Sequence, residues 1–198
     1  MIPLSLASIA EITGASLGAG ADPGAVADSV VIDSRNAGPG SLFAALPGEN
    51  VDGHDFASAA IAGGAVAVLA SRPVGAPALI VPDVPGAMGA LARAVVAALP
   101  GLTIAGITGS VGKTTTKDLA AQLVERLGPA VAPHESYNNE IGHPLTVLRV
   151  TADTRYLVLE LSARGPGHIA QLCAIAPPRL GVVLCVGQIG RASCRERV

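Results

Sequence analysis

The run Gly-Ile-Thr-Gly-Ser-Val-Gly-Lys-Thr-Thr-Thr, Gly106–Thr116, gathers residue types suited to holding phosphate. Glycines let a backbone curl until several N–H groups face one anion. A helix that starts directly afterwards adds the positive end of its dipole. Here the strand-like TIAGIT precedes the loop and the helix-like TTKDLAAQLVERLG follows it, which is the setting such a loop requires. The candidates for phosphate contact are Thr108, Gly109, Ser110, Val111, Gly112, Lys113, Thr114 and Thr115. Lys113 would bring a mobile charge to the β- and γ-phosphates, and the Thr114 hydroxyl would ligate Mg²⁺. One departure matters. The common form of the loop has glycine five residues before the Gly-Lys pair, where this chain has Ile107. The glycines fall instead at 106, 109 and 112, which favours a variant class over a generic GTPase or ATPase loop. The plainer alternative, a glycine-rich turn with a surface lysine, leaves the agreement of strand, glycines, Lys-Thr and helix unexplained.

Two further groups could join this chemistry. Glu160 ends the apolar run RYLVLE. A carboxylate at the C-terminal end of a parallel strand faces the crevice where open α/β sheets bind ligands. Beside a phosphate loop it would hold Mg²⁺, which prefers carboxylate oxygen, phosphate and water. The alternative is an exposed acid at a strand end. The segment Tyr137–Thr146, Y-N-N-E-I-G-H-P-L-T, offers Asn138 and Asn139, whose amides both donate and accept and so suit positioning work. On residue types alone an Asx turn capping the next helix is the better account. Ser162–His168 reads as a Gly/Pro loop that starts a helix, with His168 as a helix-start residue. Nearer the N-terminus, Asp33-Ser34-Arg35 and Pro47–Phe56 are polar clusters beside strands. Such loops bind ligands on many scaffolds, but each also reads as turn chemistry, with Asp52-Gly53 a turn and Asp55 a cap.

The elements that must position these residues alternate. Ser29–Asp33 and Ser41–Leu46 read as strands around a turn at Asn36–Gly40. DFASAAIAGG reads as a short helix stopped by Gly63-Gly64, and AVAVLA and ALIV as buried strands. PGAMGALARAVVAALPG is a helix with Pro near its start. Beyond Pro100 the strand–loop–helix texture repeats, with RYLVLEL and GVVLCV as further strands. This is α/β organisation: a small N-terminal α/β domain over 1–82, then a phosphate-loop domain with a parallel sheet over 83–188. The boundary is placed near Val81–Pro85.

Composition bounds the rest. Half of the 198 residues are apolar, almost all aliphatic, with 2% aromatics and no Trp. A net charge of −2 gives no basic footprint for nucleic acid. No apolar stretch is long enough to span a bilayer, and the first residues lack the basic start of a signal peptide. The three cysteines follow no metal or disulfide spacing. A cytoplasmic, monomeric protein is expected.

Taken together, these residues resemble the Mur ligase family. T-G-S-V-G-K-T-T matches its phosphate loop. D-S-R-N-A-G-P-G-S-L-F-A-A-L-P-G-E-N-V-D-G-H-D-F is similar to its UDP-binding domain. N-N-E-I-G-H-P-L-T-V-L and V-L-E-L-S-A-R-G-P-G-H-I resemble the branch that adds D-alanyl-D-alanine to UDP-N-acetylmuramoyl-tripeptide. The resemblance covers residues 1–187. It implies ATP and Mg²⁺ as cofactors, and an acyl phosphate formed before the amine attacks. It implies Lys113 as an electrostatic clamp, Thr114 and Glu160 as metal ligands, and Asn138 and Asn139 as positioning groups in catalysis. Ser34 and Arg35 would meet the UDP end. Two positions depart from the family pattern: Cys185 replaces a usual Asn, and Val111 replaces a frequent Asn or Ser. Residues 189–198 resemble the in-frame translation of a sequencing adapter and are expected not to be native, which would leave a truncated chain inactive in ligation. Other readings stay open: another amide ligase of this fold, a phosphate-loop switch protein without ligase chemistry, or a UDP-sugar-binding protein.

Overall fold

The computed structural model describes residues 1–48, 51–133, 138–163 and 165–187. The chain forms two compact units, Met1–Pro100 with Pro144–Asp153, and Gly101–His143 with the residues from Thr154 onward.

Unit 1 opens with β1 (Leu4–Ser5), α1 (Leu6–Thr13), β2 (Ser16–Leu17) and β3 (Val26–Ala27). Ser5 caps α1 by accepting a bond from the Ser8 N–H, and Gly14 ends it in the left-handed region. β4 (Ser29–Val31), β5 (Ser41–Ala44), β6 (Ala67–Ala70) and β7 (Ala78–Ile80) pair in parallel, with β2 antiparallel on the β7 edge. β1 and β3 make a separate antiparallel pair. β5 and β6 are buried at every position, as expected for parallel strands covered on both faces. α2 (Ala57–Ala62) packs on this sheet, contributing Ala57 and Ala60 to a core with Phe43, Val68 and Ala78. α3 (Val84–Ala97) starts with Pro85 in its first turn and packs on α1. Through that packing α3, with Met88, Leu91 and Val95 buried, counts with unit 1.

One correction concerns a cap. Asp52, not Asp55, accepts the first N–H, from His54, and the chain makes a 3-10 turn over Gly53–Phe56 before α2 begins. An aspartate fits that role because its short carboxylate reaches the N–H two residues on.

Unit 2 contains β8 (Thr103–Thr108), α4 (Lys113–Glu125), β9 (Ala130–Val131), α5 (Gly142–Val147), β10 (Tyr156–Glu160), α6 (His168–Ile175) and β11 (Leu180–Val183). The last residues of α5 count with unit 1. The sheet is wholly parallel in the order β11-β8-β10-β9. Ile104, Ile107, Leu157 and Leu159 are buried on it. Among the described residues β11 is an edge strand, with Leu180 and Val183 exposed. Among the described residues no helix is long and apolar enough to cross a membrane.

Candidate functional site

The parallel sheet of unit 2 brings two strand ends together. Glu160 closes β10 in register with Ile107, one residue before β8 gives way to the loop at Thr108. Ile107, which stands where the common phosphate loop has glycine, is a buried strand residue. Gly106 likewise belongs to the strand rather than to the loop: a Cβ there would meet Leu161 Cδ1 at 2.9 Å and Pro178 Cβ at 3.2 Å. The curl itself needs only Gly109 (φ 145°) and Gly112 (φ 86°). Gly109 also has no room for a side chain, because a Cβ would lie 2.8 Å from Leu184 Cβ.

The loop is braced by the segment that follows β11. Leu184 donates its N–H to the Thr108 carbonyl at 2.9 Å, and the Ser110 N–H donates to the Cys185 carbonyl at 2.8 Å. The Gly187 N–H donates to Ser110 Oγ at 3.2 Å. The Ser110 amide is thus spent within the protein and is not free for an anion. Cys185 braces the loop with its backbone, so its departure from the family's usual Asn leaves this contact intact. Val111 is exposed.

Beyond the loop, α4 presents Lys113 and Thr114 in its first turn, where the N-terminal amides have no helical partner. Lys113 Nζ donates to the Gly109 carbonyl at 2.8 Å, folding back over the loop. Thr114 Oγ1 donates to Glu160 Oε2 at 2.9 Å, and Asn138 Nδ2 donates to Glu160 Oε1 at 2.8 Å. Glu160 is only 2% exposed. Burying a carboxylate is costly unless it is paired. Here both described partners are neutral, and no cationic side chain among the described residues forms an ion pair with it.

These groups line an open pocket of about 290 Å³ formed by Gly112, Lys113, Thr114, Thr115, Asn138, Glu160 and Ser162. The residue types fit Mg²⁺: one carboxylate, one hydroxyl, and room for phosphate and water. Among the described residues no cluster of three or more His, Cys, Asp or Glu offers an all-protein metal cage. Ser162 was not a candidate from the sequence, where it looked like part of a Gly/Pro loop.

Asn139 turns away from this role. Its Oδ1 accepts from the N–H of Ile141 (3.2 Å) and Gly142 (2.7 Å), capping α5, and it does not line the pocket. The two asparagines therefore divide the work, one on Glu160 and one on its own helix. His168 begins α6, as its setting suggested.

In unit 1, Ser34 and Arg35 occupy a 3-10 turn capped by Asp33. The exposed Arg35 side chain lies across Asp33, with Nη2 donating at 2.6 Å. Arg35's side-chain and backbone hydrogen bonds hold the Asp33 carboxyl down at about 2. The guanidinium is available at the surface, already oriented by its neighbour. A second network was not legible in the sequence. The buried His54 places Nδ1 2.6 Å from Asp52 Oδ1, while its Nε2 receives the Ser71 N–H at 3.0 Å. A backbone N–H can only donate, so Nε2 is the acceptor and Nδ1–H donates to Asp52. Arg72 adds an ion pair to Asp52 at 2.8 Å. The network fastens the loop after β5 to the end of β6.

Comparison with known proteins shows the family. The Mur ligase family, catalytic domain, matches residues 27–95, and the Mur ligase middle domain matches residues 107–189. The UDP-N-acetylmuramoyl-tripeptide--D-alanyl-D-alanine ligase of Mycobacterium leprae is 52% identical across all of this chain, which spans 44% of that relative. A MurF structure from Acinetobacter baumannii superposes with a TM-score of 0.85 at 30% identity, over 93% of this chain and 41% of that one. The Thermotoga maritima MurF structure in complex with ADP superposes at 0.72 with 36% identity, over 81% and 38%.

Proposed function

The chain belongs to the Mur ligase family, and from that premise we propose that it is the part of an ATP-dependent ligase that binds nucleotide and UDP-muramoyl substrate. The complete enzyme would join D-alanyl-D-alanine to UDP-N-acetylmuramoyl-tripeptide, the reaction named for the relatives. The observation that carries this reading is the buried Glu160, held between Thr114 and Asn138 beside the loop and without a cationic partner among the described residues.

A carboxylate resists attack by an amine because it is anionic and has no good leaving group. ATP would convert the peptide's terminal carboxylate to an acyl phosphate, from which phosphate leaves when the amine attacks. Two anions must meet in the first step. The loop amides, the α4 N-terminus and Lys113 offset that repulsion and stabilise the transferring phosphoryl group. Lys113 would leave the Gly109 carbonyl for the phosphates. Thr114 and Glu160 would hold Mg²⁺, which supplies charge neutralisation on the phosphate oxygens. Asn138 keeps Glu160 oriented. In unit 1, Ser34 and Arg35 would take the UDP end.

Calorimetric titration with ATP and Mg²⁺ tests the site. Wild type should bind, and Lys113→Ala should bind roughly tenfold or more weakly, since a charge-assisted contact is worth about 1.5–3 kcal/mol. Equal binding by the two proteins would sink the assignment.

A further inference from the structure

Lys117 lies one turn beyond Lys113 on α4, yet it is 2% exposed. Its Nζ donates to the Pro133 carbonyl at 3.0 Å and lies 2.7 Å from Asp118 Oδ1. An apolar side chain could fill a buried position without the desolvation cost of an ammonium. What the ammonium adds, and an apolar residue cannot, is the ion pair with Asp118 and the bond to Pro133; Asp118 is its neighbour on α4, so the Pro133 bond is the one that reaches beyond the helix. Pro133 is five residues before Asn138, the residue that holds Glu160 Oε1. On the other side of Asn138, Asn139 is fixed by capping α5. Five residues span at most about 18 Å, so anchoring Pro133 narrows the region that Asn138 can occupy. The same helix thus touches both arms of the site: Thr114 reaches Glu160 Oε2 directly, and Lys117 reaches Pro133, five residues before the Asn138 that bonds Oε1.

We propose that Lys117 is a positioning residue for the metal side of this pocket, acting through Pro133 and Asn138 to set the orientation of Glu160. The inference rests on the nucleotide-and-metal reading of the pocket given above. Loss of Lys117 should therefore spare contacts made by the loop and weaken those that depend on Glu160.

The test uses the 198-residue chain, titrated with ATP first without and then with Mg²⁺. In Lys117→Met, metal-free ATP affinity should stay within twofold of wild type, while the gain in affinity that Mg²⁺ confers should fall about tenfold. Asn138→Ala should lower the Mg²⁺ gain by a comparable factor, and the double variant should lose no more of that gain than either single one. Thermal melting followed by circular dichroism reports folding separately. If Lys117→Met melts too low to titrate, Lys117→Arg decides: a near-wild-type Mg²⁺ gain supports the clamp, and a gain as low as that of Asn138→Ala overturns it. Equal loss of metal-free and metal-bound affinity, an additive double variant, or an unchanged Mg²⁺ gain in Lys117→Met would each overturn it too. Failure of the wild-type chain to bind ATP at all is a different result: it refutes the nucleotide reading, and the inference with it.

Discussion

At the scale of single residues, the site depends on which polar atoms are left to find partners. Glu160 is satisfied by two neutral donors, and Asp33 by its neighbour Arg35. His143 is the contrary case. It is fully buried, and neither ring nitrogen has a hydrogen-bond partner within the described protein. Burial pulls its pKa from 6.5 down to about 4, and the Leu172 backbone, which does not meet hydrogen-bond geometry with the ring, pulls the other way. The unfolded chain therefore takes up a proton below about pH 6.5, and the folded chain does so only near 4. Stability is fully present above that window and is lost as pH falls through it, by up to about 1.4 kcal/mol per pH unit. Replacing His143 with Phe should flatten the stability curve between pH 6.5 and 4. Chemical denaturation at several pH values measures this, and a variant with the same slope as wild type would refute it. Asp33 titrates lower, towards about 2, and leaves that window clear.

At the scale of elements, one short loop carries most of the constraint. The turn from β8 into α4 is possible because Gly109 takes φ 145° against Leu184, and Gly112 takes φ 86° at the helix start. Gly109→Ala should cost about 1–3 kcal/mol of stability, from backbone strain and overpacking together. It should also loosen the Ser110–Cys185 bond and weaken ATP binding. Gly101→Ala is the control, since a Cβ there meets nothing within 4 Å, and it should stay within about 0.5 kcal/mol of wild type. Denaturant melts of the two variants compare them directly; equal stabilities would mean that the loop is not under this constraint. The glycine pattern in the sequence also includes Gly106, which the strand uses for close packing with Leu161 and Pro178.

At the scale of the whole molecule, the two units have separate sheets and separate candidate tasks. If unit 1 receives the UDP end of the substrate, binding there should not require nucleotide in unit 2. Adding UDP-muramoyl peptide to the labelled chain without ATP should shift NMR resonances around Asp33–Arg35 and Val51–Asp55. Shifts confined to residues 101–143 and 154–187 would contradict the assignment. The chain spans less than half the length of the relatives it matches. The expectation that residues 189–198 are not native lies outside the described residues. Sequencing the gene through its 3′ end would test it.

The sequence by itself determined the local events. Strand–loop–helix order, the glycines of the phosphate loop, Lys113 and Thr114 at a helix start, and Glu160 at a strand end all follow from short-range rules of turn geometry and periodicity, and TIAGIT is a strand over its whole length. Only tertiary structure decided which side chains meet. Asn138 and Asn139 are adjacent and chemically identical, yet one bonds Glu160, 22 residues away, and the other caps α5. Lys117 looks like an exposed helix lysine until the chain after β9 covers it. Ser71 meets His54 only because β6 lies beside β5. The division of the chain at Pro100 follows from α3 packing on α1, a contact between segments some 80 residues apart. Hydrophobic patterning tells a helix that it has a buried face, but not which partner will cover it.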